Sequence, residues 1–288
     1  MVEIPASLVM KLRKVSGQGM MDCKSALQEA DGDIEKAMDI LRKKGLATLS
    51  KRAGRLTTEG IVVSNIGEDG KAAILATLCC ETDFVASSSD FKAAAQMLAD
   101  YALACPSDQG AENLQETSIN ERKFSEVVSE LASKTGEKIQ VGEYARFRLE
   151  SPGLIGLYVH FNHKAGSMVE LHTSDEKLAQ NERLRQTATE LAMHITASAP
   201  IAIHSGDVDP AVIEREKAIF SEQIKNKPPD ITEKIVAGKV NKFLKENCLL
   251  QQPFVKDDSL KVADVLERAG RDCGGRVEAA RFARFGIG

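Results

Sequence analysis

Apolar residues recur at helical spacing three times within the first 45 positions of the chain. Leu8, Val9, Leu12 and Val15 follow the start signals Pro5 and Ser7, and Ser16-Gly17-Gln18-Gly19 then interrupts the stripe. A second stripe, Cys23, Ala26, Leu27 and Ala30, follows Met20-Met21-Asp22. Asp31-Gly32-Asp33 caps a third, which carries Ile34, Ala37, Met38 and Leu41 and is expected to close at Gly45 behind Arg42-Lys43-Lys44. The pattern predicts three short helices in a compact bundle.

The period then changes to two. Ile61–Ile66 and Ala72–Cys80 read as paired strands around Gly67-Glu68-Asp69-Gly70. The second strand runs directly into Glu81-Thr82-Asp83-Phe84-Val85-Ala86, where Thr82 or Asp83 is a natural helix N-cap. Ser89-Asp90-Phe91 opens a helix through Ala93, Ala94, Met97, Leu98 and Tyr101. Further on, residues 139–149, 153–160 and 166–172 alternate and predict a three-stranded antiparallel meander. A single helix is expected from Asp175 to Ala199, with Leu178, Leu184, Ala188, Leu191, Ala192 and Ile195 inward and Pro200 as terminator. Two amphipathic segments, 209–225 and 230–246, flank Asn226-Lys227-Pro228-Pro229 and predict a projecting helical hairpin. Helix 259–269 and strand 276–285 complete the chain.

The fold class expected from this order is α+β. An N-terminal bundle of the ubiquitin-associated type with a basic linker (1–55) precedes a two-subdomain antiparallel core. The first subdomain spans 56–140, the second 141–206 and 247–288, and the coiled-coil hairpin 207–246 is inserted in the second.

Composition narrows the function. With 43% hydrophobic and 28% charged residues the chain is of globular type, and the absence of Trp leaves a core of aliphatic residues and Ala. No apolar run is long enough to span a bilayer, and the first residues lack the marks of a secretory signal. Residues 1–55 carry 11 Lys/Arg against 7 Asp/Glu, a net +4, so the remainder carries −8 of the total −4. That balance argues against a protein that coats nucleic acid. Six scattered cysteines without a CxxC pair read as reduced thiols in a cytoplasmic setting.

Chemistry is sparse. Neither the cysteines nor His160, His163, His172, His194 and His204 offer a convergent zinc set, and there is no phosphate-binding loop. A Cys80/His160/Asp83 nucleophilic site lacks an elbow and an oxyanion loop, so no enzyme, metal or cofactor is expected. His194 sits on an apolar helix face and reads as core. Two features point to binding instead. The Gly-Gln-Gly-Met-Met turn offers Met20 and Met21, of which one is expected to point inward and the other to serve as an adaptable contact. The segment after the second strand sets an acid, Asp83, beside an aromatic, Phe84. On spacing alone Phe84 either packs inward or protrudes as a wedge that Asp83 holds by capping.

Residues 19–45 (GMMDCKSALQEADGDIEKAMDILRKKG) and 80–91 (CETDFVASSSDF) resemble bacterial elongation factor Ts. The likeness continues through YVHFNHKAGSMVEL (158–171), AMHITASAP (192–200), KIVAGKVNKFLKENCLLQQPFVKDDS (234–259) and RFARFGIG (281–288). It implies a guanine-nucleotide exchange factor for elongation factor Tu. Thr82, Asp83, Phe84 and Val85 would enter the partner near its magnesium and phosphates, Met20 and Met21 would grip it, and His160 would make a further contact. It implies neither a nucleic-acid nor a membrane partner, and a homodimer through the helical hairpin is left open. Cys79 stands where the family often has Asn, 163–168 is a less aliphatic strand, and the sequence stops at Gly288, where some members continue into a helix. The alternative from the residues alone is an adaptor that binds peptides or nascent chains through 1–55.

Overall fold

The computed structural model describes residues 4–224 and 228–288. Its first three helices are α1 (Ala6–Ser16), α2 (Met20–Glu29) and α3 (Ile34–Lys51). Gly17 ends α1 in the left-handed conformation (φ 67°), which glycine adopts at no steric cost. Asp33 caps α3 by accepting from the Glu35 and Lys36 amides. Val9, Leu12, Cys23, Ala26, Leu27, Ala37 and Leu41 form the buried centre of this bundle, whereas Val15 is exposed in the last turn of α1.

Gly45 does not end α3. It lies buried within a helix that continues to Lys51, because α3 presses on a later helix there and has no room for a side chain. A Cβ at Gly45 would come within 2.6 Å of Ser129 Oγ and nearer still to the Ser129 carbonyl oxygen. The glycine read as a stop signal is a contact requirement.

The hairpin β1 (Glu59–Ile66) and β2 (Ala72–Cys80) forms as its alternation predicts, Glu59 pairing with Cys80. After it come α4 (Asp83–Ser87) and α5 (Ser89–Ala104), the latter capped by Ser88. The following stretch holds elements the hydrophobic pattern does not announce: α6 (Ala111–Glu116), β3 (Ser118–Ile119), β4 (Arg122–Lys123) and α7 (Phe124–Thr135). It is α7 that meets α3: Ser129 Oγ donates to the Arg42 carbonyl, Arg42 pairs with Glu126, and Gln18 Nε2 donates to the Glu130 carbonyl at 3.0 Å.

The expected meander is split between two sheets. β5 (Gln140–Arg148) pairs with β2, giving the order β1-β2-β5. β6 (Gly153–Val159) and β7 (Ala165–Thr173) pair with each other and, through β7, with the last strand, β10 (Val277–Gly286), giving β10-β7-β6. Alternation records which face of a strand is buried but not its neighbour. The short link at 149–152 carries the chain from one sheet to the other.

The two sheets face each other through Val62, Ala73, Leu75 and Phe147 on one side and Ile155 and Met168 on the other. Helices α5 and α7 cover the outer face of the first sheet, packing on Ile74, Ala76, Leu78 and Cys80. The second sheet is covered by α9 (Glu182–Ser198) and α12 (Val262–Cys273) over Leu154, Val169 and Leu171. Four layers result, helix–sheet–sheet–helix, and central strand β2 is buried on both faces.

Two helix expectations change. The long helix is broken into α8 (Glu176–Ala179) and α9, because Asn181 accepts from the Arg183 and Leu184 amides and starts a new helix. Ser259-Leu260-Lys261 belongs to β9 (Asp257–Lys261), paired with β8 (Pro253–Phe254), so α12 begins at Val262. Helices α10 (Pro210–Glu222) and α11 (Pro229–Asn247) pack on one another and join the core around Ala202, Val208 and Cys248. Of the expected Asn-Lys-Pro-Pro turn, Asn226 and Lys227 lie outside the described residues.

Candidate functional site

The register of the first sheet fixes where β2 releases the chain. Beyond Cys80, the last paired residue, Glu81 and Thr82 cross to α4, a single turn with Thr82 as N-cap accepting from the Val85 amide at 3.3 Å. Of the two candidate caps Thr82 fills the role and Asp83 does not; Asp83 is exposed and has no hydrogen bond or ion pair among the described residues. Ala86 is buried and Val85 half-buried against the first helical layer, while Phe84 is 84% exposed. Phe84 therefore does not pack inward.

The turn is braced from beneath by residues distant in sequence. Glu137 Oε2 accepts from the Glu81 and Thr82 amides, each at 3.1 Å, and Glu137 Oε1 accepts from the Thr82 hydroxyl at 2.7 Å. Glu81 accepts from the Lys138 amide at 2.7 Å and from Arg52 Nη1 at 2.9 Å at both oxygens. Burial raises the Glu81 carboxyl, but the Lys138 amide and the Arg52 guanidinium outweigh it, leaving the group below its ordinary value. Lys138 Nζ in turn donates to the carbonyls of Ala53 and Arg55. The end of the N-terminal bundle, the start of α4 and the entry to β5 are thus one hydrogen-bonded unit. Arg52 and Arg55, from the basic linker, belong to it.

Beneath the turn, Cys80 is fully buried, its thiol donates to the Thr82 carbonyl at 3.2 Å, and burial pushes it up to about 12. A thiol so disposed is no nucleophile at neutral pH. Among the described residues no cluster of three or more His, Cys, Asp or Glu is placed to hold a metal.

The β6–β7 turn stands at the same end of the sheets. Lys164 Nζ reaches Glu59 Oε2 at 2.5 Å and the Gly60 carbonyl at 3.2 Å, and these residues pair with Cys80 and Cys79. The Val62 amide donates to the His163 carbonyl at 2.8 Å. His160, half-buried, has Nδ1 3.1 Å from the Tyr158 hydroxyl and its ring 4.4 Å from that of Phe161. Phe161 is itself 84% exposed and was not singled out in the sequence, although an aromatic in a polar turn is a signal that was there to read. Leu56, 80% exposed, follows the Arg55 carbonyl that Lys138 holds.

Met20 and Met21 open α2. Both are exposed, at 43% and 73%, so neither points inward: Cys23, Ala26 and Leu27 already fill the bundle's centre. His194 is core, as read. The Val255 amide donates to its Nδ1 at 3.2 Å, so its proton sits on Nε2, 3.0 Å from Gln252 Oε1.

Fold and site together define an α+β protein with a braced, solvent-facing aromatic turn. Residues 81–288 match the family model described as Elongation factor TS. Elongation factor Ts of Lawsonia intracellularis is 37% identical over the whole of this chain and 99% of its own length. That of Alkalilimnicola ehrlichii is 40% identical over 99% of this chain and 92% of its own, and that of a Nostoc species 38% identical over 100% and 93%. The chain belongs to the elongation factor Ts family, a family of translation elongation factors.

Proposed function

We propose that this chain is a guanine-nucleotide exchange factor that binds elongation factor Tu with GDP bound and promotes release of the nucleotide. In this reading Thr82–Val85 insert beside the partner's magnesium and phosphate-binding elements. Met20 and Met21 grip the partner from the N-terminal bundle, and His160 contacts it from the β6–β7 turn. The single observation that carries the reading is Phe84, 84% exposed on a turn held by Glu137 and Glu81. An apolar ring kept in water gains its burial energy only when a partner covers it, which makes it a natural hot spot.

No covalent step is needed. A factor that binds the nucleotide-free state of its partner more tightly than the nucleotide-bound state weakens nucleotide binding by the same factor, by linkage. Disturbing the cation that neutralises the phosphates is the local means. Supporting a joint surface rather than an independent adaptor, the bundle is docked on α7 at Gly45 and Ser129 and tied to the wedge through Arg52. We assign 1–55, 56–140, 141–206 with 247–288, and 207–246 as its modules, the first of ubiquitin-associated type. The setting is cytoplasmic, and nucleic acid is not a partner.

The experiment is release of a fluorescent GDP analogue from elongation factor Tu. The wild-type chain accelerates release catalytically, and Phe84→Ala and Asp83→Ala each slow it at least about tenfold, the loss expected on truncating a buried interface anchor. Wild-type rates in both variants overturn the wedge assignment.

A further inference from the structure

We propose that Glu137 is the positioning residue of the wedge: its carboxylate holds Glu81 and Thr82 in the one geometry that projects Phe84, before any partner arrives. The inference rests on the exchange-factor reading for its functional consequence, but its structural claim stands apart from that reading.

The geometry is specific. One carboxylate accepts three hydrogen bonds at 3.1, 3.1 and 2.7 Å, two from successive backbone amides and one from the N-cap hydroxyl. Those amides belong to residues that have left the β2 ladder and not yet entered α4, so neither has a partner in regular structure. A charged acceptor bonds such donors more strongly than a neutral one. The Thr82 hydroxyl is used twice, donating to Glu137 and accepting from the Val85 amide, so the carboxylate also fixes the hydroxyl rotor that caps α4. Glu137 is itself placed by its neighbours. Gly136 ends α7 in the left-handed conformation (φ 70°), and the Glu137 amide donates to Thr135 Oγ1 at 3.3 Å. The adjacent Lys138 amide holds Glu81 from the other side.

The brace joins α7, which the N-terminal bundle grips, to the turn that carries Phe84. Without it the wedge would have to be ordered on binding, and that cost would fall on affinity. A positioning residue therefore shows itself in the concentration at which exchange is half-maximal, and far less in the rate at saturation.

The test pairs two measurements on the full chain with wild type, Glu137→Ala and Glu137→Gln. Glutamine keeps one acceptor oxygen for the amides and is the variant that guards against misfolding. By hydrogen–deuterium exchange with no partner present, the Glu81 and Thr82 amides lose protection by at least about tenfold in Glu137→Ala and by less in Glu137→Gln, while β2 amides are unchanged. In GDP-release kinetics, half-saturation rises about tenfold in Glu137→Ala with the saturating rate within about twofold of wild type, and Glu137→Gln recovers most of it. Unchanged protection of both amides in Glu137→Ala overturns the proposal, as does a saturating rate that collapses at unchanged half-saturation. A wild-type chain that releases no GDP, with the amide effect intact, overturns the exchange reading and leaves the brace standing.

Discussion

Alanine at Gly45 and alanine at Gly238 are the same substitution in the middle of a helix, and the structure assigns them opposite signs. Replacing an exposed mid-helix glycine gains up to about 1 kcal/mol, because the unfolded chain loses freedom and the helix gains a better former. At Gly238 in α11 a Cβ meets nothing within 4 Å, so the whole gain is realised. At Gly45 the new atom lies 2.6 Å from Ser129 Oγ, 2.9 Å from the Ser129 carbonyl carbon, and nearer still to the carbonyl oxygen. The hydroxyl can rotate away, but the carbonyl belongs to the middle of α7 and moves only with its helix. Overpacking against backbone costs about 1–3 kcal/mol or more, which exceeds the propensity gain. The displaced seam also holds the Arg42–Glu126 pair and the Gln18–Glu130 hydrogen bond, so their loss adds to the cost. With about 2–4 °C of Tm per kcal/mol in domains of about this size, Gly238→Ala raises Tm by about 2–4 °C and Gly45→Ala lowers it by a similar amount or more. Paired scanning calorimetry reads both. If Gly45→Ala stabilises the protein as Gly238→Ala does, α3 is not pressed on α7, and the docking of the N-terminal bundle is refuted.

The remaining expectations concern titration and reactivity. Burial holds the His194 imidazole below its ordinary value of 6.5, so between the two values the unfolded chain binds the proton and the folded chain does not. Stability therefore falls as pH drops below 6.5, the loss is complete at the lowered value, and denaturant titrations across that window lose this slope in His194→Asn. Cys80, buried and pushed up to about 12, resists iodoacetamide at pH 8 until the chain unfolds, whereas the partly exposed Cys273 is alkylated in the folded state. Mass spectrometry of the modified peptides checks the order, and folded-state labelling of Cys80 ahead of Cys273 contradicts it.

What the sequence made legible was local. The Gly17 break, the Asp33 cap and the β1–β2 hairpin depend on residues within a few positions of one another, and each is found as read. Where the reading failed, the deciding partner was remote. Gly45 looks like a C-cap until Ser129 is placed beside it, and β5 looks like the first strand of a meander until β2 claims it. Asn181 could have been seen as a cap, but the apolar stripe continuing from Leu178 to Leu184 hid the break. For the site, TDFV was conspicuous and its support was not. Glu137 follows α7 by two residues and stands 55 residues from Thr82, and nothing in its own neighbourhood distinguishes it from any surface glutamate.

The exposure of Phe84 follows from that remote support. A five-residue helix is too short for periodicity to set its rotation, so the phase of α4 comes from its ends. Side chains step about 100° per residue, so the mean direction of Val85 and Ala86 lies about 150° from Phe84. Val85 and Ala86 pack against the core, and Phe84 must then face away from it. Phe84 keeps this direction only while the first residue of the turn is fixed. The Glu137 carboxylate on the Glu81 and Thr82 amides fixes it, and the Thr82 cap on Val85 passes the setting into the helix. The aromatic is thus displayed by a buried and a half-buried neighbour and a carboxylate behind them. Its own identity contributes nothing to its placement: an apolar side chain left to the hydrophobic effect alone would turn inward.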